Sequence, residues 1–211
     1  MRSLLPLLGV LALAPLPSRA QTSEPVQESN PMTQVRKAYP EEPSKIPLVA
    51  ADGTRTTLGA LAPKVLLVSV FTSRFGDMAE LKQVPHLLKA LEGRKDVAFI
   101  ALNTDRPKNR EDWDTLREVM KENGVEVALY SDAQLSFLAW VNGPPGGTEG
   151  PFIRMPGLAI VLDGKRLHGT YASDPGATPE AYVATRLPLV NEALKAVGAK
   201  PVSAKKPAPR P

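Results

Sequence analysis

Few side chains in this sequence are suited to chemistry. The 211 residues include two histidines and no cysteine. A chain without cysteine cannot form a disulfide, present a thiolate or bind an iron–sulfur cluster, and two histidines leave little for a histidine metal site. Ser73 and His86 are separated by more than about three helical turns, so they do not suggest a hydrolytic pair. His86 and His168 are therefore interpreted as surface or partly buried side chains.

The segment Arg74-Phe75-Gly76-Asp77 precedes a helical pattern that begins at Glu80. A carboxylate at Asp77 can accept a backbone N–H of the first helical turn, a cap that contributes roughly 1 kcal/mol. We favour this capping role over a catalytic one. A guanidinium such as that of Arg74 is not a nucleophile, and its charge opposes the positive end of a helix. An enzyme site here would need a histidine or a second acid beside Asp77, and the sequence has neither.

The basic residues are concentrated at the two ends of the chain. The formal net charge is +4 and the pI is about 9.3, values that would suit a nucleic-acid-binding protein. However, the first 20 and the last 12 residues contain no acid, and the 22 acids of the chain outnumber the bases between these ends. The terminal bases are Arg2, Arg19, Lys200, Lys205, Lys206 and Arg210. We therefore expect no phosphate-binding face and no nucleic-acid partner.

Residues 1–20 are predicted to be a secretory signal peptide. A short basic start is followed by about a dozen apolar residues, fewer than the ~20 that a membrane span needs. Prolines within this region argue against a buried helix. Ser18 and Ala20 are small, as a signal peptidase requires, so cleavage is expected before Gln21. No cysteine follows that could carry a lipid, and we expect a periplasmic or secreted protein without stable membrane insertion.

Two flanking segments are predicted to be disordered. Residues 21–45 are polar and proline-rich without periodicity, and residues 200–211 consist mainly of Ala, Lys and Pro. We interpret them as a solvated linker and tail. Contact of the basic tail with an anionic lipid surface is the weaker alternative, because four charges at ~1 kcal/mol each are screened and have no apolar anchor. The folded domain is predicted to span residues 46–199.

Extended and helical patterns alternate within this domain, as in a compact α/β fold. Asp-Gly turns predict two hairpins, over residues 48–57 and around 163–164. Further strands are predicted at 65–71, 97–102, 125–130, 158–162 and 166–171. Helices are predicted at 80–91, around 113–120, at 133–141 and at 179–197. Pro85 is expected to bend the first helix and Pro188 to interrupt the last.

Four segments occur in an order typical of one protein family. Residues 48–71 contain a hairpin and a buried strand, Phe71-Thr72-Ser73 follows that strand, and residues 100–105 form a strand with a polar exit. Residues 154–165, Arg-Met-Pro-Gly-Leu-Ala-Ile-Val-Leu-Asp-Gly-Lys, are the most specific. Together they resemble the TlpA and redoxin (AhpC-TSA-like) branch of the thioredoxin-like superfamily. The resemblance covers residues 46–197 and implies a thioredoxin-like α/β fold, with a central mixed sheet flanked by helices, an N-terminal hairpin and disordered ends.

The resemblance also implies that the redox site has been lost. With Thr72 and Glu80 aligned on the family's threonine and glutamate, the two active-site cysteines are replaced by Arg74 and Asp77, and Phe75 and Gly76 lie between them. The thiolate of the family, including that of its peroxide-reducing members, is missing. Thiol chemistry is therefore not expected.

A copper site is not expected either. In copper carriers of the Sco type the two loop ligands would fall at Arg74 and Met78. Their third ligand, a histidine distant in the sequence, would precede the position of Pro156, which is a cis-proline in the family. Here one thioether replaces two thiolates, and His168 follows the Asp-Gly turn instead. We predict no metal and no cofactor.

The resemblance still implies a capacity for binding. In the related fold an apolar groove runs beside the cis-proline, so the Met155–Pro156 bond is expected to be cis and the Met155 backbone to pair with an extended peptide. Phe75, Phe152 and Met155 would border this groove, or Phe152 and Met155 would instead fill the core. We expect a catalytically silent module that binds an envelope protein or peptide. A cryptic non-thiol enzyme, or a divergent oxidoreductase that acts through a partner, remains the alternative.

Overall fold

The computed structural model describes residues 38–61, 63–72, 79–144, 156–174 and 176–202. Its strands are β1 (Pro47–Ala50), β2 (Arg55–Thr57), β3 (Val65–Phe71), β4 (Val97–Asn103), β5 (Ala128–Ser131), β6 (Leu158–Leu162) and β7 (Arg166–Tyr171). Its helices are α1 (Ala79–Ala90), α2 (Arg110–Glu122), α3 (Ser136–Val141) and α4 (Pro179–Ala196). Short 3-10 helices lie at Pro43–Lys45 and Leu58–Leu61.

The described strands form one mixed sheet in the order β2-β1-β5-β4-β3-β6-β7. Strands β3, β4 and β5 are parallel, whereas β6 pairs with β3 and β7 pairs with β6 in antiparallel fashion. Every residue of β3 is buried. This strand has neighbours on both edges and helices over both faces, which is why its sequence, VLLVSVF, is almost continuously apolar.

Alternate residues of the central strands pack in two separate hydrophobic cores, because side chains along a strand point to opposite faces of the sheet. On one face Val65, Leu67 and Phe71 pack with the apolar sides of α1, α2 and α4. On the other face Leu66, Val68 and Val70 pack with β1, the second 3-10 helix and α3. Within α3, Phe137 and Trp140 meet edge to face, with ring centroids 5.8 Å apart.

Two predicted elements begin later than the sequence indicates. Strand β5 starts at Ala128, because Gly124 at φ +68° ends α2 and the Val125 amide folds back to the Met120 carbonyl. Helix α3 starts at Ser136 and not at Ala133, because residues 132–135 form a turn that ends with Leu135 at φ +58°. Apolar content continues through both turns, so periodicity alone could not place these boundaries.

The predicted interruption of the last helix at Pro188 is wrong. Helix α4 continues from Pro179 to Ala196 through this proline, and α1 likewise continues through Pro85. A proline inside a helix costs about 3 kcal/mol. Leu187 and Val190, on either side of Pro188, are buried in the core, and this packing offsets the lost backbone hydrogen bond.

Folded structure extends beyond residues 46–199 at both ends. Tyr39 packs partly buried against the α3 side of the domain, and residues 43–45 form a helical turn. At the other end, the Val202 amide donates to Asn191 Oδ1 at 2.6 Å, and the Val202 carbonyl accepts from Asn191 Nδ2 at 3.0 Å. The prediction of disorder in the two flanks rested on the average composition of each segment, which does not reveal a few residues that pack against the domain. The predicted signal peptide and the remainder of both flanks lie outside the described residues, among which no helix has the length and apolarity to cross a membrane.

Candidate functional site

Most of the predicted site residues lie outside the described part of the chain. These are Arg74, Phe75, Gly76, Asp77, Phe152 and Met155. Pro156 is described and is buried. The Met155–Pro156 bond involves a residue that is not described, so its cis geometry stays a prediction. The described surroundings of these segments are Thr72, the start of α1 and the turn at Pro156–Gly157.

A polar network lies where the parallel strands β3 and β4 end. Phe71 pairs with Asn103 across the two strands, so the residues that follow emerge at the same edge of the sheet. The Thr72 hydroxyl donates to the Asp105 carboxylate, which also accepts from Asn103 Nδ2 at 3.0 Å. The Asp105 amide returns a bond of 2.9 Å to Asn103 Oδ1. Asn103 is fully buried, and its amide therefore fixes the Asp105 carboxylate beside Thr72.

Asp132 extends this polar edge to β5. The Asp132 amide donates to the Asn103 carbonyl at 3.0 Å, and its fully buried carboxylate accepts from the amides of Ser136 and Leu138 at 2.9 and 3.0 Å. Burial raises the pKa of Asp132 to about 6, although the backbone donors and the charge of Arg106 oppose the rise. Asp132 therefore caps α3 from inside the protein.

Glu80 is the buried acid of the candidate site. It lies in the first turn of α1 with a side chain that is only 1% exposed. Its Oε1 accepts a hydrogen bond of 2.5 Å from the Tyr182 hydroxyl on α4. Its Oε2 has no hydrogen-bond partner among the described residues. Burial raises the pKa of Glu80, and the contacts with Tyr182 and Arg186 only partly oppose this rise.

Arg186 places a positive charge next to this acid. Its guanidinium carbon lies 5.6 Å from the Tyr171 ring centroid and 5.4 Å from that of Tyr182, within the range of cation–π attraction. Nη2 donates to the Ala172 carbonyl at 2.6 Å. Nε lies 3.7 Å from Glu80 Oε1, too far for a hydrogen bond. The two charges therefore attract each other without the short contact that would hold the Glu80 pKa below its usual value.

Gly157 allows Glu80 to approach the Pro156 turn. A Cβ atom at this position would lie 2.9 Å from Glu80 Oε2, and 2.4 and 2.8 Å from the Oγ and amide nitrogen of Ser173. Any other residue at 157 would collide with these atoms. The Gly157 carbonyl accepts from the Val70 amide at 3.3 Å, so this turn is also attached to the central strand.

Sequence reasoning placed Glu80 at the site but missed Tyr182, Arg186 and Asp132. Tyr182 and Glu80 are 102 positions apart, and Arg186 looks like an ordinary charged residue of an amphipathic helix. The one sequence signal of these partners was Glu80, an acid beside the apolar stripe of an amphipathic helix. A carboxyl group that is buried with such a stripe needs polar partners. His86 is exposed on α1 and His168 half-buried on β7, and no three His, Cys, Asp or Glu residues of the described ranges cluster as a metal site.

No protein-family model and no curated protein matches this sequence. Among solved structures, it is similar to a putative electron transfer protein from Aquifex aeolicus VF5 (15% identity, TM-score 0.53) and to a putative electron transport protein from the same organism (13% identity, TM-score 0.52). Each match covers 72% of this chain and 94% of the other. A thiol:disulfide interchange protein of the thioredoxin family from Chlorobium tepidum TLS matches with 14% identity and TM-score 0.49, over 74% of this chain and 99% of its own.

The topology agrees with the resemblance seen in the sequence. Strands β4-β3-β6-β7 are adjacent in that order, α1 connects the parallel pair β3 and β4, and α4 follows β7 against the same core as α1. The chain has a thioredoxin-like fold. The expectation of this fold without cysteines is confirmed. At such low identities the solved structures establish the fold alone.

Proposed function

We propose that this thioredoxin-like protein is exported and binds a protein or peptide partner in the cell envelope without catalysing thiol chemistry. The observation that carries the proposal is the close approach of Glu80 Oε2 to Gly157, where a Cβ atom would lie 2.9 Å from that oxygen. It joins the start of α1 to the Pro156 turn, the two segments that border the redox site in the resembling family. Burying an acid at this junction costs free energy. In a chain without thiols, we attribute this junction to recognition.

The recognition surface would combine the two sequence segments next to this junction. Residues 74–77 precede α1, and Met155 precedes Pro156. Phe75 and Met155 supply apolar contact, whereas Arg74 supplies a fixed charge with several donors. An extended peptide that pairs with the Met155 backbone fits this combination, because main-chain hydrogen bonds give affinity and side-chain pockets give selectivity.

The purified protein is expected to be inert toward thiol substrates. It has no sulfhydryl group, so it should neither reduce insulin disulfides nor consume peroxide in the presence of a thiol reductant. Activity should stay at the level of a heat-denatured control. A turnover that follows the protein through successive purification steps would contradict this and would favour the cryptic enzyme.

Partner capture tests the proposal directly. The full mature chain, carrying a photo-crosslinker at position 75 of the proposed recognition surface, would be used to identify and purify the partner from the native envelope. Phe75→Ala and Arg74→Ala should then weaken binding of that purified partner by ~1–3 kcal/mol, the range for an interface anchor. Calorimetric titration measures the change in Kd.

Lys89→Ala is the matched control, because Lys89 is exposed at the far end of α1 and should leave Kd unchanged. Thermal unfolding separates binding from stability. If Phe75→Ala and Arg74→Ala lower the stability by several kcal/mol but leave Kd unchanged, the two residues are structural and the site must be abandoned.

A further inference from the structure

The two oxygens of the Glu80 carboxyl group have unequal surroundings. Oε1 accepts from Tyr182 and lies near Arg186, whereas Oε2 faces Gly157 without a donor from any described residue. A carboxylate normally needs donors on both oxygens when it is buried. The described residues thus supply a hydrogen-bond donor to only one oxygen of an ionised Glu80 carboxylate. The other oxygen, Oε2, lies so close to the turn that a Cβ atom at Gly157 would be 2.9 Å from it.

The charged and titratable groups around Glu80 come from two elements. Tyr182 and Arg186 belong to α4, and Asp174 follows β7. Tyr182 and Arg186 favour the ionised form of Glu80, whereas burial, which is the largest effect, and the negative charge of Asp174 favour the protonated form. Glu80 is thus the buried carboxylic acid of this cluster.

We propose that Glu80 is a proton-operated latch between the start of α1 and the Pro156–Gly157 turn. When Glu80 is protonated, it stays buried and the two segments are held together. When it is ionised, Oε2 requires water, and water reaches it only if the α1 start and the turn separate. The two segments joined by this latch adjoin residues 74–77 and Met155 in the sequence, so the regulatory role rests on the proposed function. Binding should be tighter under mildly acidic conditions.

The direction of this pH dependence follows from the linkage between proton binding and folding. A group whose pKa is higher in the folded state than in the unfolded chain stabilises the fold fully below its unfolded pKa. That stabilisation is lost as the pH rises through the folded value. The junction should therefore be closed at low pH and open increasingly often as the pH rises.

Hydrogen exchange of the full chain tests the latch without a partner. The Val70 amide donates to the Gly157 carbonyl, so its exchange rate reports opening of the turn. Exchange would be compared at equal pH between wild type and Glu80→Gln, which keeps an acceptor for Tyr182 but does not titrate. The ratio of the wild-type to the variant rate should be smallest at the acid end of a series from pH 5 to pH 8 and should rise several-fold toward pH 8.

Two references isolate the effect. The Ala139 amide, in α3 on the opposite face of the sheet, should show a constant ratio, and Glu92→Gln, an exposed acid after α1, should behave as wild type. If Glu80→Gln does not fold, the carboxyl resonance of Glu80 in carbon-13-labelled wild type supplies the titration. Its midpoint should then coincide with accelerated exchange of Val70.

A Val70 ratio that stays flat from pH 5 to 8, or a titration of Glu80 with no change in exchange, overturns the latch. Neither result depends on partner binding. Conversely, an intact latch combined with unchanged capture by Phe75→Ala and Arg74→Ala refutes the proposed function and not the latch. The two hypotheses therefore fail separately.

Discussion

Arg186→Met is expected to lower the free energy of unfolding by ~3–5 kcal/mol at neutral pH. The change removes a positive charge beside the buried Glu80, the cation–π contacts with Tyr171 and Tyr182, and the hydrogen bond to the Ala172 carbonyl. Methionine fills a similar volume, so the loss reports mainly on polar interactions. Denaturant unfolding at pH 7 measures it. The loss should become smaller as the pH falls, because the raised pKa of Glu80 favours its neutral, protonated form.

A double-mutant cycle separates the charge from the packing. Glu80→Gln removes the acid that Arg186 faces, so the double variant should recover ~1–3 kcal/mol relative to the sum of the single changes. Arg110→Met is the control, because the Arg110 side chain is 93% exposed and a surface change should stay within about 0.5 kcal/mol. A loss at Arg186 no larger than at Arg110, or strictly additive changes, would show that the cluster does not act as a unit.

The elements that were predicted correctly are those encoded by local patterns. The run 65–71 has the length and apolarity of a doubly covered strand, and Asp-Gly pairs require little beyond their own backbone to form hairpin turns. The start of α3 was placed too early because a residue other than glycine adopts a left-handed conformation there. Leu135 is such a residue, and its φ of +58° is imposed by the capping of α3 by Asp132. Nothing in the local sequence distinguishes that turn from a helix start.

The site was predictable only in part, for a related reason. Thr72, Glu80 and Pro156 were placed through the order of short motifs. The partners of Glu80 come from α4, and their identity depends on how that helix packs against α1. A sequence pattern shows which face of α4 is apolar, but Arg186 lies on the buried side because Tyr171 and Tyr182 flank its charge. Long-range pairings of this kind leave no periodic signal.

Asp132→Asn is expected to change the pH dependence of stability by ~3 kcal/mol. Burial raises the pKa of Asp132 from 3.8 to about 6, a difference of roughly two units at 1.36 kcal/mol each. Because the folded pKa is the higher one, Asp132 stabilises the wild type fully below pH 3.8 and loses this contribution as the pH rises through about 6. Asparagine carries no proton to lose. The stability difference, wild type minus variant, should therefore decrease by ~2.5 kcal/mol between pH 4 and pH 8.

The sign of that trend distinguishes a strained carboxylate from an ordinary helix cap. An exposed capping aspartate has a lowered pKa, so its contribution grows as the pH rises. Asp132 should behave in the opposite way, although asparagine also loses one of the two backbone bonds, to Ser136 or Leu138, at every pH.

Denaturant unfolding at half-unit steps of pH measures the stability difference between wild type and Asp132→Asn. The contribution of Glu80 to this difference cancels, because Glu80 titrates in both proteins. Glu126→Gln, an exposed acid just before β5, should give a flat difference. A wild-type advantage that increases toward pH 8 would show that the hydrogen bonds from the α3 amides outweigh the burial of Asp132, and the role of Asp132 in the fold would then be that of a simple cap.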